Sequence, residues 1–213
     1  NNRVLDLHSK LFVEPNPGRS SETFYTDRKK GELWVGPRFG VPQSAAHFGI
    51  ATQPLSDLEN LLGRYPLARV LRGVSPYIDT LRSPSHERPG DKELAAVISE
   101  LRLIKDALEI EELRKVTQST KRAFEDVIRS FGKAKSEREV EGLFNLRARV
   151  EGNDVGYGTI AAAGAHACIL HWTNNNGALN DGDLLLLDAG VEGHALYTAD
   201  ITRTLPANGR FSD

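Results

Sequence analysis

Apolar positions recur along this chain with two different periods, and the change of period falls near Gly156. From Asp91 to Lys105, Leu94, Val97, Ile98, Leu101 and Ile104 keep helical spacing. From Glu109 to Phe131, Ile110, Leu113, Val116, Ala123, Phe124 and Val127 do the same. Ser136 followed by Glu139 forms a capping-box pattern. It opens a third helix whose apolar positions are Val140, Leu143, Phe144 and Val150. Beyond Gly156 the pattern shortens to strands. Leu184–Leu187 is a short apolar run introduced by the turn-like Asn180–Asp181–Gly182. Ala195–Leu205 alternates and is ended by Pro206–Ala207–Asn208–Gly209. Helices followed by strands predict an α+β domain, with helices packed on an antiparallel sheet.

Residues 1–90 pattern differently and predict part of a small α/β domain. Val4–Val13, Thr23–Thr26 and Glu32–Val35 are predicted strands, the third following the turn Asp27–Gly31. Ser56 and Glu59 make a second capping-box pattern, ahead of Leu58, Leu61, Leu62 and Tyr65 on one helical face. Leu67–Leu71 then reads as a strand, which gives a β-α-β order. Ser83–Gly90, with Pro84 and Pro89, is the expected linker, so the predicted division is 1–90 and 91–213. No internal repeat or low-complexity tract is evident.

The candidate chemistry lies on the strand pair. Gly190–Val191–Glu192–Gly193 is a plausible loop between the two runs, and a turn centred near His194 leaves Asp188 and Asp200 equidistant from it. Directly opposed residues of an antiparallel pair share a face, with Cβ atoms about 4.5–5.5 Å apart. Hard oxygen ligands at that spacing suit Mn²⁺- or Mg²⁺-like ions, including two-metal clusters. An Asp after an apolar strand is also an ordinary turn or cap residue. Asp200, expected inside a strand where Asp is disfavoured, fits that explanation less well. Spacing alone leaves both readings open.

Composition narrows the class only a little. A chain of 213 residues carries one or two domains with a substantial core. With 27 basic and 29 acidic residues the net charge is −2, so neither nucleic acid nor an anionic membrane is expected as a partner. The Glu/Arg/Lys-rich helices read as solvated faces. No apolar stretch approaches a membrane span. The single cysteine, Cys168, excludes an intrachain disulfide framework, and its neighbours Ala167 and Ile169 suggest a buried, inert thiol. A chain that begins at Asn1, ends at Asp213 and contains no Met is expected to be an internal segment of a longer protein.

The wording of these segments carries more than their spacing. Asp188–Ala189–Gly190 followed by Asp200–Ile201–Thr202–Arg203–Thr204 resembles the metallopeptidase family with the pita-bread fold, which includes aminopeptidase P, prolidase, methionine aminopeptidase and creatinase. Cys168–Ile169–Leu170–His171–Trp172–Thr173 followed by Asn174 and Asn175, Tyr157–Gly158–Thr159–Ile160, and Leu101–Arg102–Leu103–Ile104–Lys105 with Glu109–Ile110 resemble the aminopeptidase P branch. The resemblance covers roughly residues 100–213 in the expected order. It implies the N-terminal half of a pita-bread domain, preceded by part of a creatinase-like α/β domain. It also implies that Asp188 chelates one metal ion and that Asp200 bridges two divalent ions, Mn²⁺ being the expected metal. By the same resemblance, His171 hydrogen-bonds substrate near the scissile bond and Tyr157 lines the substrate pocket. For each of these two the plain alternative is packing. The family completes its cluster with a histidine and two glutamates further toward the C-terminus, and His8, His47, His86, His166 and His194 do not stand in that motif. The implied activity is release of the N-terminal residue from peptides with proline second, by a cytoplasmic enzyme that is a homo-oligomer when full length. An Xaa-Pro dipeptidase and a non-catalytic pita-bread binding module remain as alternatives. A creatinase-like enzyme without metals is disfavoured by Asp188 and Asp200.

Overall fold

The computed structural model describes residues 9–82 and 89–211. It divides into two compact units, Asn1–Leu101 and Arg102–Asp213. Of the expected strand Val4–Val13, residues 4–8 lie outside the described residues, as do residues 83–88 of the expected linker.

The first unit contains β1 (Lys10–Val13), α1 (Thr23–Thr26), α2 (Glu32–Val35), α3 (Val41–Phe48), β2 (Ala51–Pro54), α4 (Asp57–Arg64), α5 (Pro76–Leu81) and most of α6 (Pro89–Leu103). β1 and β2 pair in parallel, from Lys10↔Ala51 to Val13↔Pro54. A parallel pair needs a crossover connection, and α3 lies within it. Two expected strands are instead single helical turns. The Thr26 and Gly36 amides donate back to Glu22 and Glu32 at 3.0 and 3.1 Å, and the Trp34 indole N–H donates to the Tyr25 carbonyl at 2.8 Å. The aromatic and β-branched residues here favour strands only when a neighbouring strand receives them, and among the described residues none does. Gly31 allows the turns to stack, since a Cβ there would meet the carbonyls of Thr23, Asp27 and Phe24 at 2.5–2.7 Å.

Leu67–Leu71 is not a strand either. The Val70 amide is taken by the buried Asp91 carboxylate at 3.0 Å, and Arg72 Nε donates to the same group at 3.0 Å. A side chain has replaced the ladder partner. The Ser56 capping box is also absent: Ser56 has helical angles and its hydroxyl caps no backbone amide.

In the second unit, α7 (Ala107–Arg129) and α8 (Glu137–Glu151) are followed by β3 (Asp154–Val155), β4 (Ile160–Ala163), a 3₁₀ turn (Gly164–Cys168), β5 (Leu184–Ala189), β6 (Val191–Glu192) and β7 (Ile201–Pro206). α7 begins at a reciprocal capping box. The Glu109 amide donates to Asp106 at 2.9 Å and the Asp106 amide donates to Glu109 at 2.7 Å. Ser136 caps α8 through the Glu139 amide at 3.2 Å, whereas the Glu139 carboxylate turns to the Lys135 amide. The main sheet is antiparallel with order β4-β5-β7, and β3 and β6 form a small antiparallel pair.

The core joins helices to one face of this sheet. Val127, Val140, Phe144 and Ala148 meet Leu185, Leu187 and Ala189, all fully buried. Phe124 packs edge-on against Phe144, with centroids 5.8 Å apart. Because β5 buries alternate residues, Asp188 necessarily lies on the opposite face.

Candidate metal and substrate site

The β5–β7 register sets the geometry. Asp188 pairs with Thr202 and Ala189 with Ile201, so the hairpin is displaced from the expected register by two positions. A displacement of two preserves the face, because side chains alternate with period two. Asp188 and Asp200 are therefore diagonal neighbours on one side rather than directly opposed. Asp200 also precedes β7 instead of lying within a strand; the expected run Ala195–Leu205 is interrupted by a turn in which the Leu196 amide donates to Gly193 at 2.9 Å.

Gly190 makes this close approach possible. A Cβ at that position would lie 1.6 Å from the Ala199 carbonyl oxygen and 3.3 Å from the Tyr157 ring. Only the missing side chain lets β5 run against the segment that delivers Asp200.

Tyr157 closes the group. It follows β3, held where the Gly156 amide donates to the Gly190 carbonyl at 2.8 Å. Its hydroxyl lies 2.6 Å from Asp188 Oδ1 and 2.8 Å from Asp200 Oδ1. The two carboxylate oxygens are thus no farther apart than the sum of those contacts. A phenol has one proton, so it can donate to only one carboxylate at a time. Burial pushes the Tyr157 phenol far above its ordinary value, and the hydrogen bonds to Asp188 and Asp200 push it further. The other oxygen of Asp188 accepts from the Thr202 hydroxyl at 2.7 Å.

These residues line a cavity of about 380 Å³ together with Gly158, Ile160, His171 and Thr173. All four candidate residues, Tyr157, His171, Asp188 and Asp200, are brought to it. The His171 imidazole makes no hydrogen bond to another described residue and stands at the rim. Two carboxylates with no lysine or arginine in the lining make the cavity electronegative, and their hard oxygens suit a divalent cation. Among the described residues no group of three or more His, Cys, Asp or Glu side chains converges to hold a metal ion. The donor set therefore fits such an ion on one side only.

Sequence reasoning assigns no role of their own to three supporting residues. Thr202 orients Asp188, Asn175 clamps the chain near His171, and Glu137 lies buried beneath the same segment. Glu137 follows the cap Ser136, where an acidic residue is common, so nothing in the pattern marks it as buried. Cys168, expected to be buried, is exposed at the end of the 3₁₀ turn.

Residues 111–213 match the model of metallopeptidase family M24, so this stretch is an M24 peptidase domain. It is 48% identical over 209 residues to Xaa-Pro aminopeptidase 1 of Streptomyces coelicolor, an alignment that takes in 95% of this chain and 42% of that protein. It is 34% identical to the Xaa-Pro aminopeptidase of Haemophilus influenzae, over 85% of this chain and 44% of that one. Among solved structures it is similar to aminopeptidase P from E. coli in its low-pH form, with TM-score 0.78 at 26% identity, covering 96% of this chain and 48% of that chain. Proline aminopeptidase P II from Yersinia pestis aligns with TM-score 0.73 at 29% identity and the same coverage. The mixed helix-and-sheet architecture is that of the pita-bread fragment of aminopeptidase P, and the chain spans under half the length of the relatives it matches.

Proposed function

We propose that this site is the N-terminal contribution to a divalent-metal aminopeptidase that removes the residue preceding proline at a peptide N-terminus. The observation that carries the reading is the meeting of Asp188 and Asp200 around one phenol, in a cavity that His171 also lines. The similarity to proteins named Xaa-Pro aminopeptidase supports the substrate class. The working site is dinuclear, with manganese as the metal. The oligomeric state of the full-length protein is more than one subunit, and its compartment is the cytoplasm.

In this reading Asp188 and Asp200 would hold the divalent ions through their carboxylate oxygens. Bound divalent ions would supply a water acidic enough to deprotonate near neutral pH and would polarise the scissile carbonyl. Tyr157 and Thr202 hold the two carboxylates in position, so that little reorganisation is needed when a cation arrives. His171, exposed and without a hydrogen-bond partner among the described residues, donates a hydrogen bond to the substrate that strengthens as negative charge develops on the carbonyl oxygen. The electronegative lining also attracts the substrate's N-terminal ammonium.

Two carboxylates offset only part of the charge of two divalent ions. Residues 1–213 by themselves are therefore expected to bind metal weakly and to turn over no peptide. The test uses the full-length protein and its Asp200→Asn variant, with manganese, an Xaa-Pro-Xaa tripeptide and an Xaa-Pro dipeptide. The amide keeps the side-chain volume but loses the charge. Loss of activity and of bound metal with an unchanged circular dichroism spectrum is expected, and wild-type cleavage should favour the tripeptide. Retained turnover by the variant with a full complement of metal refutes the assigned role. Preference for the dipeptide would make the protein an Xaa-Pro dipeptidase, and no cleavage of either by the wild type would make it a binding module.

A further inference from the structure

The segment that presents His171 forms no helix or strand from residue 169 to residue 177, only a turn at Leu170 and His171. Among the described residues the His171 imidazole has no hydrogen-bond partner that fixes its direction. Where that ring points is decided by the backbone on either side, and the structure ties that backbone down through one buried side chain. Glu137, the first residue of α8, is fully buried. Its Oε1 accepts from the Ala163 amide at 2.8 Å and lies 2.8 Å from His166 Nδ1. Its Oε2 accepts from the Gly177 amide at 2.7 Å and from the Trp172 indole N–H at 2.9 Å.

Three of these four groups, His166, Trp172 and Gly177, bracket His171 in sequence. Trp172, its immediate neighbour, is locked twice, since its ring also stacks on His166 with centroids 3.9 Å apart. Gly177 is required by the same packing, because a Cβ there would lie 2.9 Å from the Glu137 carboxylate and 2.8 Å from the His166 ring. A second clamp works beside it. The buried Asn175 accepts from the Ala161 amide at 3.0 Å and donates to the Thr159 carbonyl at 2.8 Å, which holds the segment against β4. Burial pushes the Glu137 carboxyl up, yet the donors from Ala163, Trp172, His166 and Gly177 outweigh it and leave the group below its ordinary value. A carboxylate is suited to the task because its two oxygens offer four acceptor positions, and all four are used.

We propose that Glu137 is a positioning residue for substrate engagement: through Trp172, His166 and Gly177 it sets where His171 meets the peptide. This rests on the reading of His171 as the group that touches substrate. An error of about 1 Å in a group contacting the reacting centre costs up to ~10²-fold in rate. A partial loosening of one of the four ties should cost less.

The test is a double-mutant cycle in the full-length, metal-loaded protein with an Xaa-Pro-Xaa peptide. Trp172→Phe removes the indole N–H but keeps an aromatic ring over His166. Glu137→Gln keeps the volume but replaces two acceptor positions by a donor. Each is measured alone and combined with His171→Ala, with bound metal and melting temperature recorded alongside. Trp172→Phe is expected to lower kcat/KM about tenfold in the parent but less than about twofold once His171 is already alanine, because the two act as one unit. Glu137→Gln should show the same pattern with a larger loss; should it not fold, Trp172→Phe alone decides. Equal losses in both backgrounds would overturn the proposal and leave Glu137 a structural residue, with the reading of His171 intact. No loss from His171→Ala alone would overturn the role of His171 itself, and the proposal with it.

Discussion

Replacement of Gly190 by alanine puts the hairpin geometry to a direct test. The added Cβ would lie 1.6 Å from the Ala199 carbonyl oxygen and 2.6 Å from its carbon, both backbone atoms that cannot rotate away. Ordinary contact between such atoms begins near 3.4 Å. The segment carrying Asp200 must therefore move by on the order of 1.5 Å relative to β5. Overpacking of this kind in a close-packed site costs about 1–3 kcal/mol of stability. The functional cost is larger, because the displaced residue is one of the two carboxylates that must share a cation. A misplacement of about 1 Å is worth ~10²-fold. Gly190→Ala in the full-length protein is thus expected to lower kcat/KM for an Xaa-Pro-Xaa peptide at least about 100-fold and to weaken metal binding, with a melting temperature only a few degrees lower. Gly142→Ala is the control. That glycine lies inside α8 with nothing within 4 Å of an added Cβ, so the change should stabilise by about 0.5–1 kcal/mol and leave activity unchanged. Parent-like activity and metal affinity in Gly190→Ala would refute the claim that this contact positions Asp200.

Other tests bear on the scaffold behind the site. Glu151 is held by Arg122 Nη2 at 2.6 Å and Arg147 Nη1 at 2.9 Å, joining α7 to α8. The Arg122 hydrogen bond is the largest cause of a carboxyl value lowered from 4.5 to about 2. A depressed carboxylate contributes stability that is complete above pH about 4.5 and is lost as pH falls toward 2. Partial solvation of the pair limits the contribution to on the order of 1–3 kcal/mol. Glu151→Gln should therefore be less stable in urea than the parent at pH 7 and nearly equal to it near pH 2; a difference that does not change with pH would contradict this. Phe144→Ala removes a fully buried ring packed edge-on against Phe124 and should cost about 3–5 kcal/mol in chemical denaturation, and a loss under 1 kcal/mol would mean that the core lies elsewhere.

The helices of the second unit and the face shared by Asp188 and Asp200 were legible in the chain alone. Both follow from local periodicity. The apolar spacing in α7 and α8 repeats over several turns, and a strand pair keeps side-chain parity even when its register is misjudged by two positions. The motifs around Tyr157 and His171 are likewise contiguous in the chain, and the fold sets both against one cavity with the two aspartates. The register was set by long-range packing, since it depends on Gly190 allowing backbone to meet backbone across the hairpin. Tertiary context also turned Thr23–Thr26 and Glu32–Val35 into helical turns and left Leu67–Leu71 without regular structure, because strand-forming side chains need a neighbouring strand and Asp91 claimed the Val70 amide instead. The same holds for Glu137. Its role depends on donors 26 to 40 positions away in the chain, and no local pattern encodes a carboxylate whose partners arrive only when α8, β4 and the His171 segment pack together.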